Sequence, residues 1–276
     1  MTIILSYCHR DYSAAFTMAR LLARKTDLRG HRFMFYASMH APLPSKEPED
    51  GPWGFGCPVD VLQCDGDPYG YPAGPNYQFA GLAKTVLGGK FPGDEERICL
   101  IESDSFPTRG DWADVLVDAH LATGKRVSGS LVDWIDPVHI NGSLVIDRSM
   151  IEDYPVLGRP VIEAWDVHHA ELLLSEGADN PEIMLARKEE TYMPTDWWWG
   201  LEKEGKQPAW VHGIRGFAML DRLEREGFAK EVGELEPMPT NAQDEECKYG
   251  GGHDWWVDST GNYYCAKCRI SKETQQ

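Results

Sequence analysis

Short apolar runs that alternate with segments of helical periodicity constrain the fold of this chain more than any other feature. Thr2–Tyr7 has the continuous apolar character of a strand buried in a parallel sheet. The apolar residues that follow recur at helical spacing from Ser13 to Lys25. The alternation continues through most of the chain. It predicts an α/β fold in which a mixed, mostly parallel sheet is flanked by helices.

The other predicted elements follow from the same two patterns. Further strands are expected at 31–37, 97–101, 127–132 and 143–146. Further helices are expected from Asn76, a possible N-cap, to Gly88, around 112–119, from 162 to 175 and from 216 to 226. Residues 41–75 are rich in proline, glycine and aspartate, so a long functional loop is expected there.

Composition and charge exclude several classes of protein. Hydrophobic residues make up 42% of the 276 residues and charged residues 26%, as in an ordinary folded domain. The formal net charge of -17 disfavours binding of nucleic acid or anionic lipid over the whole surface. Seven cysteines, an odd number, disfavour a disulfide framework. No apolar stretch reaches the roughly 18 residues of a membrane helix, so a cytoplasmic protein without a membrane partner is expected.

Four possible zinc ligands lie near the C-terminus with the spacing Cys-x5-His-x11-Cys-x2-Cys: Cys247, His253, Cys265 and Cys268. Thiolate and imidazole ligands suit tetrahedral Zn²⁺, and four protein ligands make a closed, structural site. Such a short segment has little core of its own, so the metal would supply much of its folding free energy. The alternative is four unrelated residues in a frayed tail.

The segment before these ligands predicts a division of the chain into parts. Residues 234–246 are acidic, contain proline and lack apolar periodicity, as expected of a linker. The prediction is a main domain at 1–233, this linker, and a zinc-binding module at 247–276. Within the module, the aromatic pairs on either side of Gly261–Asn262 are expected to form strands around a turn.

Two carboxylates, Glu102 and Asp104, directly follow the predicted strand at 97–101. In open α/β sheets, ligands bind beyond the carboxyl ends of the strands. Acids two residues apart at such a position can hold a hard divalent cation, which can neutralise a departing diphosphate. Loop acids and helix caps have the same composition, so the pair alone leaves both interpretations open.

The order of several short motifs around these acids resembles that of the GT-A fold, the Rossmann-like fold of nucleotide-sugar glycosyltransferases, over about residues 1–230. Glu102–Asp104 matches the Asp-x-Asp metal motif of that family, with glutamate in the first position. Gly74–Gln78 resembles the start of the helix that contacts the nucleoside, and Asn141–Ile146 resembles the strand after the acceptor-side loop. Trp210–Gly216 resembles the late His-x-x-Gly-x-Lys segment, although it is shorter and has arginine in place of lysine.

The resemblance implies a metal-dependent transferase whose donor is a nucleotide-diphosphate sugar, with uridine as the favoured nucleoside. It implies a Mn²⁺ or Mg²⁺ ion held by Glu102, Asp104 and His212. It also implies a set of donor-binding residues, of which the arginine would form paired hydrogen bonds with the diphosphate. These residues are Ser6, Asn76, Glu102, Asp104 and Arg215.

An acid at the start of the predicted helix 162–175 is the candidate catalytic base. Inverting members of the resembled family keep their base in this region, which implies that Asp166 accepts the proton of an acceptor hydroxyl and that Trp165 packs on the sugar. Asp166 is equally well explained as a first-turn helix acid and Trp165 as a core residue. Asp133–Trp134, after another strand, is a second candidate for the acceptor side, and Trp197–Trp199 is expected to expose an indole.

Three functions are compatible with the sequence. The first is a glycosyltransferase with a large acceptor; the zinc module is similar to an arrangement that suits virus-encoded enzymes that glycosylate hydroxymethylated bases in double-stranded DNA. The second is a glycosyltransferase acting on protein or glycan. The third is a non-catalytic adaptor that binds a nucleotide or a partner, which the predicted metal and diphosphate ligands disfavour. A DNA acceptor would need a basic cluster, for which the candidates are Arg109, Lys125, Arg126, Arg148, Arg159, Arg187, Lys188 and Arg215.

Overall fold

The fold is built on a seven-stranded mixed sheet. The computed structural model describes residues 1–9, 11–44, 55–64, 72–185, 208–213, 255–257, 263–265 and 271–272. The strands of the larger unit are β1 (Thr2–Tyr7), β2 (Arg32–Ala37), β3 (Val59–Gln63), β4 (Arg97–Glu102), β5 (Ser105–Pro107), β6 (Val127–Val132), β7 (His139–Asp147), β8 (Gly177–Asp179), β9 (Ile183–Leu185) and β10 (Trp210–His212). Seven of them form the main sheet in the order β3-β2-β1-β4-β7-β6-β8.

Helices cover both faces of this sheet. They are α1 (Tyr12–Lys25), α2 (Ala73–Leu87), α3 (Trp112–Thr123), α4 (Arg148–Asp153), α5 (Trp165–His168) and α6 (Ala170–Glu176), with a 3-10 turn at Pro155–Gly158. Side chains alternate across a strand, so Ile3 and Leu5 of β1 pack with α1 and α3, whereas Ile4 packs with α2 and α4 to α6. The predicted α/β fold with a mixed sheet flanked by helices is confirmed.

The direction of the strands gathers several chain ends at one edge of the sheet. β7 runs antiparallel to its neighbours β4 and β6, whereas the other pairings in the sheet are parallel. The carboxyl ends of β1, β4 and β6 therefore lie at the same edge as the start of β7. β2 and β4 flank β1, so the strand order reverses between β1 and β4. Ligands bind at such a reversal in open α/β sheets.

A second sheet of three short strands, in the order β5-β10-β9, follows the end of β4. β10 pairs antiparallel with β5, with His212 opposite Ser105, and parallel with β9. Trp210 of β10 is buried against Trp112 of α3, with ring centroids 4.4 Å apart. The burial of two indoles fixes β10 to the main domain.

The structure corrects the predicted loop at 41–75 and the predicted helix at 162–175. β3 lies within the former region and was missed because its half-exposed side chains give an edge strand little apolar signal. The predicted helix is instead the two short helices α5 and α6, which are separated at His169.

Asn76 explains the late start of α5, and its predicted role as the cap of α2 is wrong because α2 begins at Ala73. Its Oδ1 accepts the Trp165 N–H at 2.8 Å, and its Nδ2 donates to the carbonyl oxygen of Val161 at 2.7 Å and to that of Glu163. In a continuous helix the Trp165 N–H would donate to the Val161 oxygen. The Asn76 side chain takes both groups and thereby caps α5 from another helix.

The chain divides into two compact units, Met1–Ile214 and Arg215–Gln276. In the second unit, β11 (Trp255–Val257) pairs antiparallel with β12 (Tyr263–Cys265), and β12 with β13 (Ser271–Lys272). The predicted strands on either side of residues 261–262 are confirmed. The predicted helix at 216–226 and the linker at 234–246 lie outside the described residues. In the described part of the chain, no helix is long and apolar enough to cross a membrane.

Candidate functional site

Three predicted metal ligands, Glu102, Asp104 and His212, lie together at the carboxyl end of β4. Glu102 ends β4, and Asp104 lies in the turn that leads to β5. β10 is held beside this turn by its pairing with β5 and by a 3.1 Å hydrogen bond from the Gly213 N–H to the Asp104 carbonyl oxygen. Tertiary pairing, rather than closeness in sequence, therefore brings His212 to the two acids. We call these three residues the acidic site.

The side chains of the acidic site are close enough to share one ion. One ligand atom of each residue lies within 4.8 Å of the other two. His212 Nε2 is 3.2 Å from Asp104 Oδ1 and 3.3 Å from Glu102 Oε2. His212 is 7% exposed, whereas the Glu102 and Asp104 side chains are 43% and 28% exposed. The site is thus closed behind the imidazole and open on the side of the carboxylates.

The two acids favour the protonated form of His212 in the chain without a cation. Burial lowers the pKa of His212, but Asp104 and Glu102 outweigh this effect and raise the pKa to about 10. The imidazolium then neutralises part of the negative charge between the carboxylates. Two carboxylates and one imidazole with an open side fit a hexacoordinate Mn²⁺ or Mg²⁺ ion, which would keep positions for water or a phosphate oxygen.

Asp11, which is not among the predicted site residues, connects the two loops at this edge of the sheet. Its carboxylate accepts the Cys8 N–H after β1 at 2.6 Å and the Ser103 hydroxyl at 3.0 Å. Ser103 stands between Glu102 and Asp104, so Asp11 anchors the residue that joins the two acids. Burial raises the pKa of Asp11 above its ordinary value, although both hydrogen bonds oppose the shift. In the sequence, Asp11 resembles an ordinary acid at the start of a helix.

Ser6, a predicted donor-binding residue, lies beside Glu102 of the acidic site, and its contact with the donor stays a prediction. It is in register with Glu102 across β1 and β4. Its hydroxyl donates to Gln78 Oε1 at 2.9 Å, and Gln78 Nε2 donates to the Tyr7 carbonyl oxygen at 2.8 Å. Asn76, in contrast, is buried and uses its side chain to cap α5. Its predicted contact with the donor stays a prediction.

Asp166 lies one strand away from the acidic site. Its Oδ2 accepts the Gly142 N–H of β7 at 3.1 Å, and its Oδ1 accepts the Val167 N–H at 3.0 Å. Burial raises the pKa of Asp166; His139 opposes this shift and the Glu102 carboxylate reinforces it. The charges of His139 and Glu102 therefore act on Asp166 in opposite directions along the sheet edge. The role of Asp166 as a catalytic base stays a prediction.

Trp165 packs in the core. It is 6% exposed and stacks on Phe79 of α2, with ring centroids 3.6 Å apart and an interplanar angle of 9°. β7 passes closely over the same indole at Gly142, where an added Cβ would lie 3.3 Å from Trp165 Cζ2. This packing favours the core interpretation of Trp165 over a contact with sugar.

Several of the basic residues predicted to contact DNA are paired with acids. Such pairs neutralise the positive charge locally, which weakens attraction to phosphate. The pairs are Arg109 with Asp111, Arg126 with Asp153 and Glu176, and Arg148 with Glu152.

Other predicted site residues lie outside the described part of the chain. Arg215, the predicted diphosphate ligand, is among them, as are Arg187, Lys188 and Trp197–Trp199. The zinc ligands Cys247, His253 and Cys268 also lie there, whereas Cys265 ends β12. The zinc site stays a prediction.

Comparison with known proteins finds structural similarity to glycosyltransferases at low identity. No protein-family model matches the chain, and no curated protein matches its sequence. The glycosyltransferase GlyE of Streptococcus pneumoniae TIGR4 has a TM-score of 0.43 and 11% identity, over 78% of this chain and 54% of its own, so this chain spans about half of GlyE. The galactosyltransferase LgtC in complex with donor and acceptor sugar analogues has a TM-score of 0.46 and 13% identity, over 87% of this chain and 98% of its own. At such TM-scores and identities, the similarity assigns no activity.

Proposed function

We propose that this chain is a metal-dependent glycosyltransferase of the GT-A kind, which transfers a sugar from a nucleotide-diphosphate sugar to a large acceptor. The observation that carries the proposal is the convergence of Glu102, Asp104 and His212, with ligand atoms within 4.8 Å, at the carboxyl end of β4. The strand order reverses beside this point, where open α/β sheets bind nucleotides. The donor proposed from the sequence resemblance is a UDP-sugar.

The divalent cation, Mn²⁺ or Mg²⁺, would be held by the acidic site. When bound, such an ion supplies positive charge that stabilises the departing diphosphate. The open side formed by the Glu102 and Asp104 carboxylates leaves room for a phosphate oxygen. Ser6, in register with Glu102, would hold the donor next to the site. Arg215 is proposed to contact the diphosphate.

The transfer exchanges one bond of the sugar for another. The bond between the anomeric carbon and the β-phosphate oxygen breaks, and its electron pair leaves with the nucleoside diphosphate. The acceptor oxygen forms the new bond to the anomeric carbon, and its proton passes to a base. Asp166, one strand from the acidic site and raised in pKa by burial, is the proposed base.

The second unit is proposed to hold a structural Zn²⁺ ion through Cys247, His253, Cys265 and Cys268. Three thiolates and an imidazole suit this ion, and the antiparallel pairing of β11 with β12 is the kind of small element that such a site stabilises. A metal assay on the intact chain tests this proposal: one Zn²⁺ per chain is expected, and its loss is expected from a Cys247→Ala and Cys268→Ala double variant. A full zinc content in that variant would contradict the proposal.

Donor binding and hydrolysis test the main proposal. Thermal unfolding is measured with UDP, ADP, GDP and CDP, each with and without Mn²⁺. A higher Tm that requires both one nucleotide and Mn²⁺ is expected, because a ligand that binds only the folded state stabilises it. Mn²⁺-dependent hydrolysis of the matching nucleotide sugar is expected to fall about a thousandfold in Asp104→Ala.

The matched control is Asp118→Ala, which removes an exposed acid of α3 that is not among the predicted ligands. It is expected to bind and hydrolyse the donor as the original chain does. If none of the four nucleotides changes the Tm and no hydrolysis is measured, the proposed enzymatic function is contradicted. That result would favour the non-catalytic adaptor.

A further inference from the structure

An exposed loop between β6 and β7 carries an unusual set of side chains. All six residues of Asp133–Val138 are exposed. Three of them are large and apolar: Trp134, Ile135 and Val138 are 41%, 53% and 40% exposed. Single exposed apolar residues are common on soluble proteins, but three within six residues next to a candidate active site are typical of a binding surface. We call this segment the exposed loop.

The exposed loop lies at the same sheet edge as the acidic site. β6 and β4 point in the same direction and are separated only by β7. Val132 at the end of β6 is paired with His139, whereas Leu100 near the end of β4 is paired with Leu144, so β6 extends about three residues beyond β4 and the two carboxyl ends are roughly 14 Å apart. The end of the loop is fixed to β7 because His139 Nδ1 donates to the Pro137 carbonyl oxygen at 2.8 Å. Three residues further along β7, Gly142 donates to the Asp166 carboxylate. Asp166 is therefore bonded to the strand that separates the loop from the acidic site.

The chemistry of the exposed loop selects one class of ligand. The indole of Trp134, which is 41% exposed, supplies aromatic surface against which the C–H groups of a pyranose ring can pack. Asp133 and Asp136 can accept hydrogen bonds from sugar hydroxyls. The same carboxylates would repel the phosphates of nucleic acid, and the loop contains no lysine or arginine. A neutral carbohydrate fits this surface, whereas DNA does not.

We propose that the exposed loop is the acceptor subsite and that the acceptor is a neutral glycan. The inference rests on the proposed glycosyltransferase function and narrows its acceptor class. A glycan held by Trp134 would extend along the sheet edge toward Asp166 and present a hydroxyl there. The reaction is the transfer described above, with the acceptor oxygen supplied by the glycan and its proton accepted by Asp166.

A binding measurement tests the loop without donor or cation. The intact chain is labelled with 5-fluorotryptophan, and the Trp134 signal is identified as the one missing from Trp134→Phe. Maltotriose, cellotriose and chitotriose are titrated in turn, followed by a DNA duplex that contains 5-hydroxymethylcytosine. A saturable shift of the Trp134 signal with at least one trisaccharide, and none with the duplex, is expected. A Trp134 signal that responds to no trisaccharide, or only to the duplex, overturns the proposal.

Charge variants of the same loop give opposite results for the two acceptors. In an Asp133→Asn and Asp136→Asn double variant, trisaccharide affinity is expected to fall about threefold because weaker acceptors replace the carboxylates. If the loop instead faces DNA, removal of two negative charges strengthens binding of the duplex and makes it more sensitive to salt. Unchanged trisaccharide affinity together with tighter DNA binding overturns the glycan assignment.

Transfer kinetics separate the acceptor subsite from the donor site. With the trisaccharide that binds, Trp134→Ala is expected to lower kcat/KM for the acceptor about tenfold, and to lower donor hydrolysis much less. Trp134→Tyr is expected to restore most of the loss because it keeps an aromatic face. The control is Leu121→Ala, which removes a side chain of α3 that is 51% exposed, and it is expected to transfer normally.

The two proposals fail in different ways. Equal losses of hydrolysis and transfer in Trp134→Ala would contradict an acceptor role. If the chain hydrolyses the donor but no trisaccharide shifts the Trp134 signal, the proposed acceptor subsite is overturned and the proposed function is not. Absence of donor hydrolysis and of nucleotide binding in the original chain would overturn the proposed function, whatever the loop binds.

Discussion

The acidic site and the exposed loop lie at one edge of the same sheet but are held very differently. Around the acidic site, Asp11 accepts hydrogen bonds from the loops after β1 and β4, and β10 is paired with β5, so the segments that carry the ligands are held in place. In the exposed loop, six residues in a row face solvent, and the bond between His139 and Pro137 anchors the end of the segment. The first region is organised like a site for a small charged ligand. The second is organised like a surface for an extended neutral one.

This difference indicates that a transferase can bind its donor and its acceptor in two regions that are held differently. A cation and a diphosphate need ligands at fixed distances, since the interaction energy of charges changes steeply with distance. An acceptor chain can be held by stacking and by a few hydroxyl contacts, which tolerate variation in the ligand. Substitutions near the acidic site should therefore affect donor chemistry, and those in the exposed loop should affect acceptor use.

The largest effect is expected from Asp166→Asn, which acts between the two regions. Loss of a general base should lower the kcat of transfer by about a hundredfold to ten thousandfold, with little change in donor affinity. A base must be deprotonated to act, so transfer in the original chain should fall as the pH falls through the pKa of Asp166, which burial raises above its ordinary value. This limb of the pH profile should be absent from the variant.

Glu163→Gln is the control for Asp166→Asn, because it changes an exposed acid in the same segment. It should leave both rate and pH profile unchanged. Transfer at the original rate in Asp166→Asn would show that another group accepts the proton, and a parallel loss of donor affinity would place Asp166 on the donor side.

A smaller effect is expected from the loss of the imidazole in the acidic site. His212→Ala should weaken Mn²⁺ binding by about tenfold to a hundredfold, as measured by calorimetric titration, because two carboxylates alone hold the ion less well. His212→Gln keeps most of the side-chain volume and separates loss of the ligand from loss of packing. Exposed His168 supplies the control variant His168→Ala, which should bind Mn²⁺ normally. Normal binding in both His212 variants would exclude the imidazole as a ligand.

The smallest effect is expected from Asp11→Asn, which tests how rigid the acidic site must be. The folded pKa of Asp11 is raised above its unfolded value, so its charge costs stability once the pH exceeds the unfolded pKa. Asparagine removes that charge and can still accept the Cys8 N–H. The variant should therefore unfold at an equal or higher temperature at neutral pH and bind Mn²⁺ about threefold more weakly. A lower Tm with unchanged Mn²⁺ affinity would show that Asp11 only stabilises the fold.

Local patterns in the sequence predicted five strands of the main sheet, β1, β2, β4, β6 and part of β7, but not β3 or β8. β1 and β6 occur at the predicted residues because continuous apolar runs of this length suit buried strands. β3 was missed because an edge strand needs few buried side chains. The helix predicted at 162–175 starts only at Trp165, because Asn76, from a distant helix, takes the hydrogen-bonding groups of its expected first turn. The periodicity of residues 162–175 contains no information about a side chain that comes from another helix.

For the candidate site, the sequence placed Glu102 and Asp104 at the end of a strand, and in the structure Glu102 ends β4 and Asp104 lies two residues later. It suggested His212 only through the resemblance of a short motif. Asp11 had no signal beyond its position at the start of a helix. Its role depends on the hydrogen bond that it accepts from the Ser103 hydroxyl, and only the fold brings these two residues together.

The sequence alone determined the layered α/β architecture and the position of two acids at a strand end, because burial and hydrogen bonding of a strand impose local patterns on the residues. The tertiary structure decided which distant groups meet those acids. The pairing of β5 with β10 brings His212 to them, and the fold of the loop after β1 brings Asp11. These contacts depend on pairing and packing between segments that are far apart in the chain. The periodicity within either segment does not encode them.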